Sequence, residues 1–137
     1  MDGEAFELDP VLAADTVEVT RWPMCRVLLM NDSRYPWLVL VPQRAGVTEL
    51  HHLSEADRNA LMGEVARAAS TLEDVLTPDK INVAALGNVV SQLHVHVIAR
   101  FHRDPAWPKP IWGVHPPLPY EPEPLARWLE VLRAAMA

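Results

Sequence analysis

Apolar and polar positions along the chain follow two periods. Over TVEVTRW at 16–22 they alternate, the two-residue repeat of a half-buried strand. CRVLLMND at 25–32 is a β-branched and aliphatic run ending in turn residues, and WLVLVP at 37–42 is apolar throughout, which predicts a strand covered on both faces. Pro42 ends that strand, since proline has no N–H to give to a ladder. Ahead of these runs, DPVLAAD at 9–15 places Asp9 before Pro10, the order of cap and first residue in a short helical turn.

The period then changes. Ser54 caps a helix over residues 54–76, Asp57 stands three residues on where its charge suits the helix dipole, and Leu61, Val65, Ala68, Leu72 and Val75 form the apolar stripe. Thr77-Pro78 stops it. KINVAALGN at 80–88 predicts a strand broken at Gly87-Asn88, and SQLHVHVIARF at 91–101 returns to alternation. Residues 105–124 hold eight of the thirteen prolines with Trp107, Trp112 and Tyr120, a composition that predicts an extended covering segment without regular structure. EPLARWLEVLRAAMA then closes the chain as a helix with Leu125, Trp128, Leu129 and Leu132 on one face. Strands joined by short turns, with one long helix before the last pair, predict an α+β fold in which helices back an antiparallel sheet.

At 137 residues, half of them apolar and 22% charged, the chain is expected to fold as a single domain over 1–137. A net charge of −6 argues against bulk attraction to nucleic acid, so an anionic ligand has to be held locally. The opening MDGEAFELDP carries Asp2, Glu4 and Glu7 where a secretory signal has a basic region and an apolar core, and no apolar run is long enough to span a bilayer. Cys25 is the one cysteine, which fits a reducing compartment. The expected location is the cytoplasm.

The chemistry concentrates in SQLHVHVI at 91–98. Residues two apart on a strand point the same way, so Gln92, His94 and His96 are expected to share a face. Three readings stand. The histidines are ordinary surface or core residues; or they grip a metal, for which no clustered third and fourth ligands of metal-site spacing are evident; or one is a nucleophile. Neutral imidazole attacks phosphorus well near pH 7, given an acceptor for its other nitrogen and donors for the phosphate oxygens. GNVVSQ, just before the strand, offers backbone N–H groups beside a glycine for that last role.

Gln92-Leu93-His94-Val95-His96-Val97-Ile98 resembles the histidine triad (HIT) signature His-φ-His-φ-His-φ-φ, with glutamine for the first histidine and all four apolar positions matched. Asn82 in the preceding strand, Gly87 shortly before the motif and LVLVP at 38–42 extend the resemblance over roughly residues 22–103, and LGNVVSQLHVHVIARF with DPAWPKPIWG is similar to a bacterial HIT-like branch that carries this glutamine. The resemblance implies a five-stranded antiparallel sheet with one long helix and a C-terminal helix, paired into a homodimer. It implies hydrolysis or transfer at the α-phosphate of small nucleotide conjugates, dinucleoside polyphosphates or nucleoside phosphoramidates, through a nucleotidyl-histidine and with no cofactor or metal. By position His94 is the implied nucleophile and His96 the contact to phosphate or leaving group. Asn82, Gly87, Asn88 and Val89 are implied along phosphate and sugar, and Asn31 and Asp32 at the ribose.

Two departures matter. Any residue at 92 can offer its main-chain carbonyl to the nucleophile, but a glutamine amide cannot carry a proton through a reaction. After Pro42, RAGVTELHHLS leaves Arg44, His51 and His52 as alternatives for a basic residue near the site. Arg100, Arg103 and Lys109 flank the motif, Trp107 and Trp112 are candidates for base stacking or for covering the core, and His102 and His115 are read as bystanders. The expectation is a nucleotide hydrolase or transferase. Its rivals are a nucleotide-binding protein without turnover and a metal-binding protein using His94 and His96.

Overall fold

The computed structural model describes residues 5–137, so Asp2 and Glu4 of the acidic opening lie outside it. A short helix α1 (Pro10–Asp15) leads into β1 (Thr16–Arg21), β2 (Cys25–Met30) and β3 (Trp37–Pro42). A single 3-10 turn at Leu50–His52 precedes the long helix α2 (Glu55–Leu76), which is followed by β4 (Lys80–Ala84), β5 (Val95–Arg100) and α3 (Pro122–Ala135). The five strands form one antiparallel sheet in the order β1-β2-β3-β5-β4. β3 lies between β2 and β5 and is buried along nearly its whole length, which is why its sequence shows no polar face.

Alternation gives each strand two faces, and both are covered. On one, Val27, Leu29, Leu38, Leu40, Val95, Val97 and Ala99 pack under Leu61, Val65, Ala68 and Leu72 of α2 and Leu129 and Leu132 of α3. Burying each such aliphatic side chain contributes about 1.5–3 kcal/mol. Ser54 Oγ accepts the Asp57 N–H at 3.1 Å to start α2, and Thr77, at φ 51°, ends it in the left-handed conformation. Glu64 ties the helix to the sheet by accepting the N–H groups of Met24 and Cys25 at 3.0 and 2.8 Å. Val75, expected on the stripe, is half exposed in the last turn, where Leu76 packs against the core instead.

The opposite face has no long helix. Phe6, Leu8 and Leu12 from the N-terminal segment cover Leu28, Val39 and Val41, while Ala106 and Ile111 from the proline-rich segment cover Tyr35 and Ile98. That segment is pinned by Arg100, itself only 2% exposed, whose guanidinium meets Asp104 at 2.7 and 3.1 Å and also reaches Asn82 Oδ1 and the Lys109 carbonyl.

Two boundaries differ from the sequence expectation. α3 starts at Pro122, so the last two prolines are its opening turn, where the missing N–H costs nothing. β5 starts at Val95, not at 91: its ladder to β3 ends at the Leu40–Val95 pair and its ladder to β4 at Ala84–His96, and the Leu93 N–H turns instead to the Val47 carbonyl at 3.0 Å. No described helix is long and apolar enough to cross a membrane.

Candidate active site

His94 and His96 lie in the slot between the two covering segments, at the start of β5, with ring centroids 4.9 Å apart. His94 Nδ1 is 2.6 Å from the Gln92 carbonyl. A carbonyl can only accept, so Nδ1 carries the proton and Nε2 keeps its lone pair. His96 is fixed in the opposite sense. The indole Nε1 of Trp37 lies 2.9 Å from His96 Nδ1 and can only donate, so the neutral ring has its proton on Nε2. Burial, and then the neighbouring His94, push the His96 pKa down to about 4, which keeps it neutral at physiological pH. The pair therefore consists of one ring with a free lone pair beside one with a free N–H.

Three cavities meet here. His94 and His96 line one of about 370 Å³, together with Leu12 and Asp15 of the N-terminal segment, Gly87, Asn88 and Val89, and the rings of Trp37 and Trp112. A second, of about 380 Å³, continues past the two tryptophans to Asn31, Asp32, Tyr35 and His115. A third, of about 210 Å³, opens on the other side of His94, against Glu49, His51 and Gln92. Gly87, at φ 79°, takes a conformation that costs any other residue strain, and turns the chain over His94. Among the described residues, nothing accepts the backbone N–H groups of Asn88 and Val89, and the Val89 side chain is almost wholly exposed. None of the residues lining the three cavities is Lys or Arg, and Asp15, Asp32 and Glu49 are acidic.

The residues singled out from sequence fare differently. Gln92 does not continue the strand face. Its side-chain Oε1 accepts the Asp9 N–H and its Nε2 donates to the Glu7 carbonyl, both at 2.9 Å, so the amide clips the N-terminal segment down while the same residue's carbonyl holds His94. Asn31 Oδ1 accepts the Tyr120 N–H at 2.9 Å, and the Asp32 carboxylate is gripped by Arg34 at 3.1 Å through both oxygens; both residues line the second cavity. Asn82 lines none of the three, because it pairs with Ile98, one step along the same face beyond His96, and its Oδ1 is taken by Arg100 at 2.8 Å.

Arg100 is consumed by Asp104 and Asn82, and Arg44 by Asp57 at the start of α2. Of the three alternatives after Pro42, only His51 borders a cavity with His94. Trp112 stands against His96, centroids 5.1 Å apart, whereas Trp107 packs on His102 away from the site. His115 is no bystander to the second cavity: its Nε2 is 2.6 Å from the Tyr35 hydroxyl. Sequence reading missed Trp37 and Asp15. Trp37 at the head of an apolar run looks like core, and only its indole N–H, which seeks a partner when covered, hinted otherwise. Among the described residues, no three His, Cys, Asp or Glu side chains gather to hold a metal ion.

Residues 12–103 match the HIT domain family. Among solved structures, the chain is similar to a histidine triad protein from Bradyrhizobium japonicum at 40% identity and TM-score 0.95, covering 98% of this chain and 100% of that one. It is similar to a histidine triad protein from Marinobacter aquaeolei at 41% identity and TM-score 0.95, covering 97% of each chain. A histidine triad protein from Sinorhizobium meliloti gives 40% identity and TM-score 0.92 over 96% of this chain and 97% of that one. No curated protein matches it.

Proposed function

The chain belongs to the HIT domain family, and on that premise we propose that it is a nucleotide hydrolase or nucleotidyl transferase acting at the α-phosphate of nucleotide conjugates, of dinucleoside polyphosphate or nucleoside phosphoramidate type. The observation that carries this reading is the 2.6 Å contact between His94 Nδ1 and the Gln92 carbonyl, which leaves Nε2 as the lone-pair nitrogen beside a cavity with room for a phosphoryl group. Nε2 attacks phosphorus; the P–N bond forms while the bond to the leaving group breaks, and the leaving group departs with the electron pair and takes a proton from solvent. Water, or an acceptor hydroxyl in a transfer, then attacks the same phosphorus, gives its proton to solvent and returns the P–N pair to Nε2.

The Nδ1 proton stays in place throughout. Its hydrogen bond to a fixed carbonyl steadies the positive charge that the ring acquires as the nucleotidyl-histidine forms. His96 gives a phosphoryl oxygen a hydrogen bond from neutral Nε2–H without surrendering the proton, and the backbone N–H groups at Gly87, Asn88 and Val89 supply the others. The second cavity takes the nucleoside: Asn31 and Asp32 reach the sugar hydroxyls, and the Trp37 and Trp112 rings offer aromatic faces. Asn82, held by Arg100, takes no part. A homodimer is supported by β4, a sheet edge with Val83 half exposed, and light scattering tests it.

The test is incubation with an adenosine phosphoramidate and with diadenosine polyphosphates, followed by separation of products and mass spectrometry of protein quenched without acid. Turnover and a nucleotidyl adduct that both vanish in His94→Ala are expected. Tight nucleotide binding without turnover would replace this reading with that of a binding protein.

A further inference from the structure

We propose that Trp37 is a positioning residue for His96: a partner able only to donate holds the ring in one tautomer, so that His96 always presents an N–H, never a lone pair, to the cavity.

An imidazole free to exchange tautomers exposes an N–H in one form and a lone pair in the other, and a lone pair turned toward a phosphoryl oxygen repels it. The 2.9 Å contact from Trp37 Nε1 to His96 Nδ1 removes that ambiguity, because the indole nitrogen has no lone pair to offer in return. It also opposes protonation. In the imidazolium Nδ1 carries a proton, and two donors would face each other across the same gap. Trp37 is held for this duty from several sides. It leads β3 and pairs with Ile98 in the ladder, and its ring meets Trp112 edge-on at 6.2 Å, while Trp112 also covers His96.

Among the described residues, Trp37 is the one hydrogen-bond partner of the ring. Across the ladder His96 faces Val39 and Ala84, neither of which titrates. His94 on its own segment and Asp15 from α1 are the ionisable groups that share its cavity. His94, held by the Gln92 carbonyl, disfavours charge on His96, and Asp15 is the one group there that favours an imidazolium. The two histidines are thus assigned opposite tautomers by two unlike partners, one acceptor-only and one donor-only.

The tautomer claim stands on hydrogen-bond geometry; its catalytic consequence rests on the reading of His94 as nucleophile. Long-range proton–nitrogen spectra of the 15N-labelled protein separate the two. In the wild type, His96 is expected to show a proton on Nε2 and none on Nδ1, with no titration between pH 8 and 5.5. In Trp37→Phe, which keeps an aromatic ring against Trp112, His96 is expected to show mixed tautomers and to begin titrating in that window. kcat falls about tenfold with KM little changed, less than the about 10²–10³ for outright loss of an oxyanion donor, and the pH–rate profile gains an acid limb.

A wild-type His96 protonated on Nδ1, or tautomers and titration unchanged in Trp37→Phe, overturns the proposal whether or not the protein turns over. The wild-type spectrum decides the first point even if the variant fails to fold. Correct wild-type tautomers without turnover on any nucleotide conjugate would remove the enzymatic reading and leave the tautomer lock standing.

Discussion

Replacing Gln92 with alanine is expected to free the N-terminal segment without disturbing His94, the proposed nucleophile. The variant loses the two 2.9 Å bonds to Glu7 and Asp9 but keeps the main-chain carbonyl on His94. Neutral hydrogen bonds contribute about 0.5–1.5 kcal/mol each, and one of these lies at an exposed position where water replaces it, so the sum is about 1–2 kcal/mol. The loss falls on residues 5–15, held otherwise by the packing of Phe6, Leu8 and Leu12, by Arg26 over the Phe6 ring and by the Asn31 N–H on the Asp15 carbonyl, so it registers as local opening more than as global unfolding. Amide exchange at Asp9 should quicken about 5–30-fold, read by nuclear magnetic resonance, while α2 amides are unchanged and His94 keeps its proton on Nδ1. Gln92→His is expected to behave like the alanine variant, since the diverging imidazole nitrogens cannot reach Glu7 and Asp9 together as an amide fork does. Unchanged exchange at Asp9 in both variants would refute the idea that residue 92 is a clip.

Acid should weaken the fold through His96. Its pKa is depressed to about 4, so the unfolded chain binds the proton first; the stability this residue protects is complete above pH about 6.5 and is lost as pH falls through about 4. The loss is about 3 kcal/mol, and urea titrations at stepped pH should show it in the wild type and a shallower slope in His96→Asn. Asp104→Ala removes the partner of buried Arg100 and the acceptor of the Phe101, Ala106 and Trp107 N–H groups. It should cost about 3–5 kcal/mol in denaturant unfolding. Burial alone would raise the Asp104 pKa, but Arg100 and the Phe101 and Trp107 N–H groups hold it below the ordinary carboxylate value, so its contribution also fades as pH falls through that lowered value. Gly87→Ala meets nothing closer than the Val90 carbonyl at 3.6 Å, so its cost is backbone strain alone, about 1–3 kcal/mol. A crystal structure of that variant should show the 87–90 turn displaced from His94, with activity falling more than stability.

What could be read from the sequence was whatever leaves a local or periodic mark. The alternation of 16–22, the apolar run of 37–42 and the Ser54 cap with its Leu61, Val65, Ala68 and Leu72 stripe each became the expected element. The family motif led to the histidine pair itself. What could not be read depends on contacts between distant positions. The Gln92 amide meets backbone 83 and 85 residues away, and Trp37 meets His96 across 59, with nothing in either local stretch to announce the pairing. β5 looked longer than it is because the Gln92, His94, His96 alternation continues past the last pairs of its ladders, Leu40–Val95 and Ala84–His96, and Leu93 bonds to the Val47 carbonyl of the preceding loop instead. Asn82 was placed by family position, but a positional match carries no information about which neighbour claims the side chain, and Arg100 claims it.

The charge of the site bears on the proposed role of His94 as nucleophile. With no Lys or Arg lining the cavities, and Asp15 and Glu49 at their borders, the phosphate of the proposed substrate would find no counter-ion there and would be held by neutral donors. An anionic nucleophile in that setting, a thiolate or carboxylate, would add its repulsion to an unneutralised phosphoryl group; two unit charges at 4 Å repel by about 4 kcal/mol at an effective dielectric of 20. A neutral imidazole avoids that cost and develops a positive charge only as the P–N bond forms, when the phosphate beside it gains from the attraction. The same logic asks that His96 stay neutral, since an imidazolium there would repel the positive charge that the His94 ring acquires as the P–N bond forms. The carbonyl of Gln92 and the indole of Trp37 thus serve one electrostatic end: a lone pair on one ring and an N–H on the next, in a cavity that carries no fixed cation.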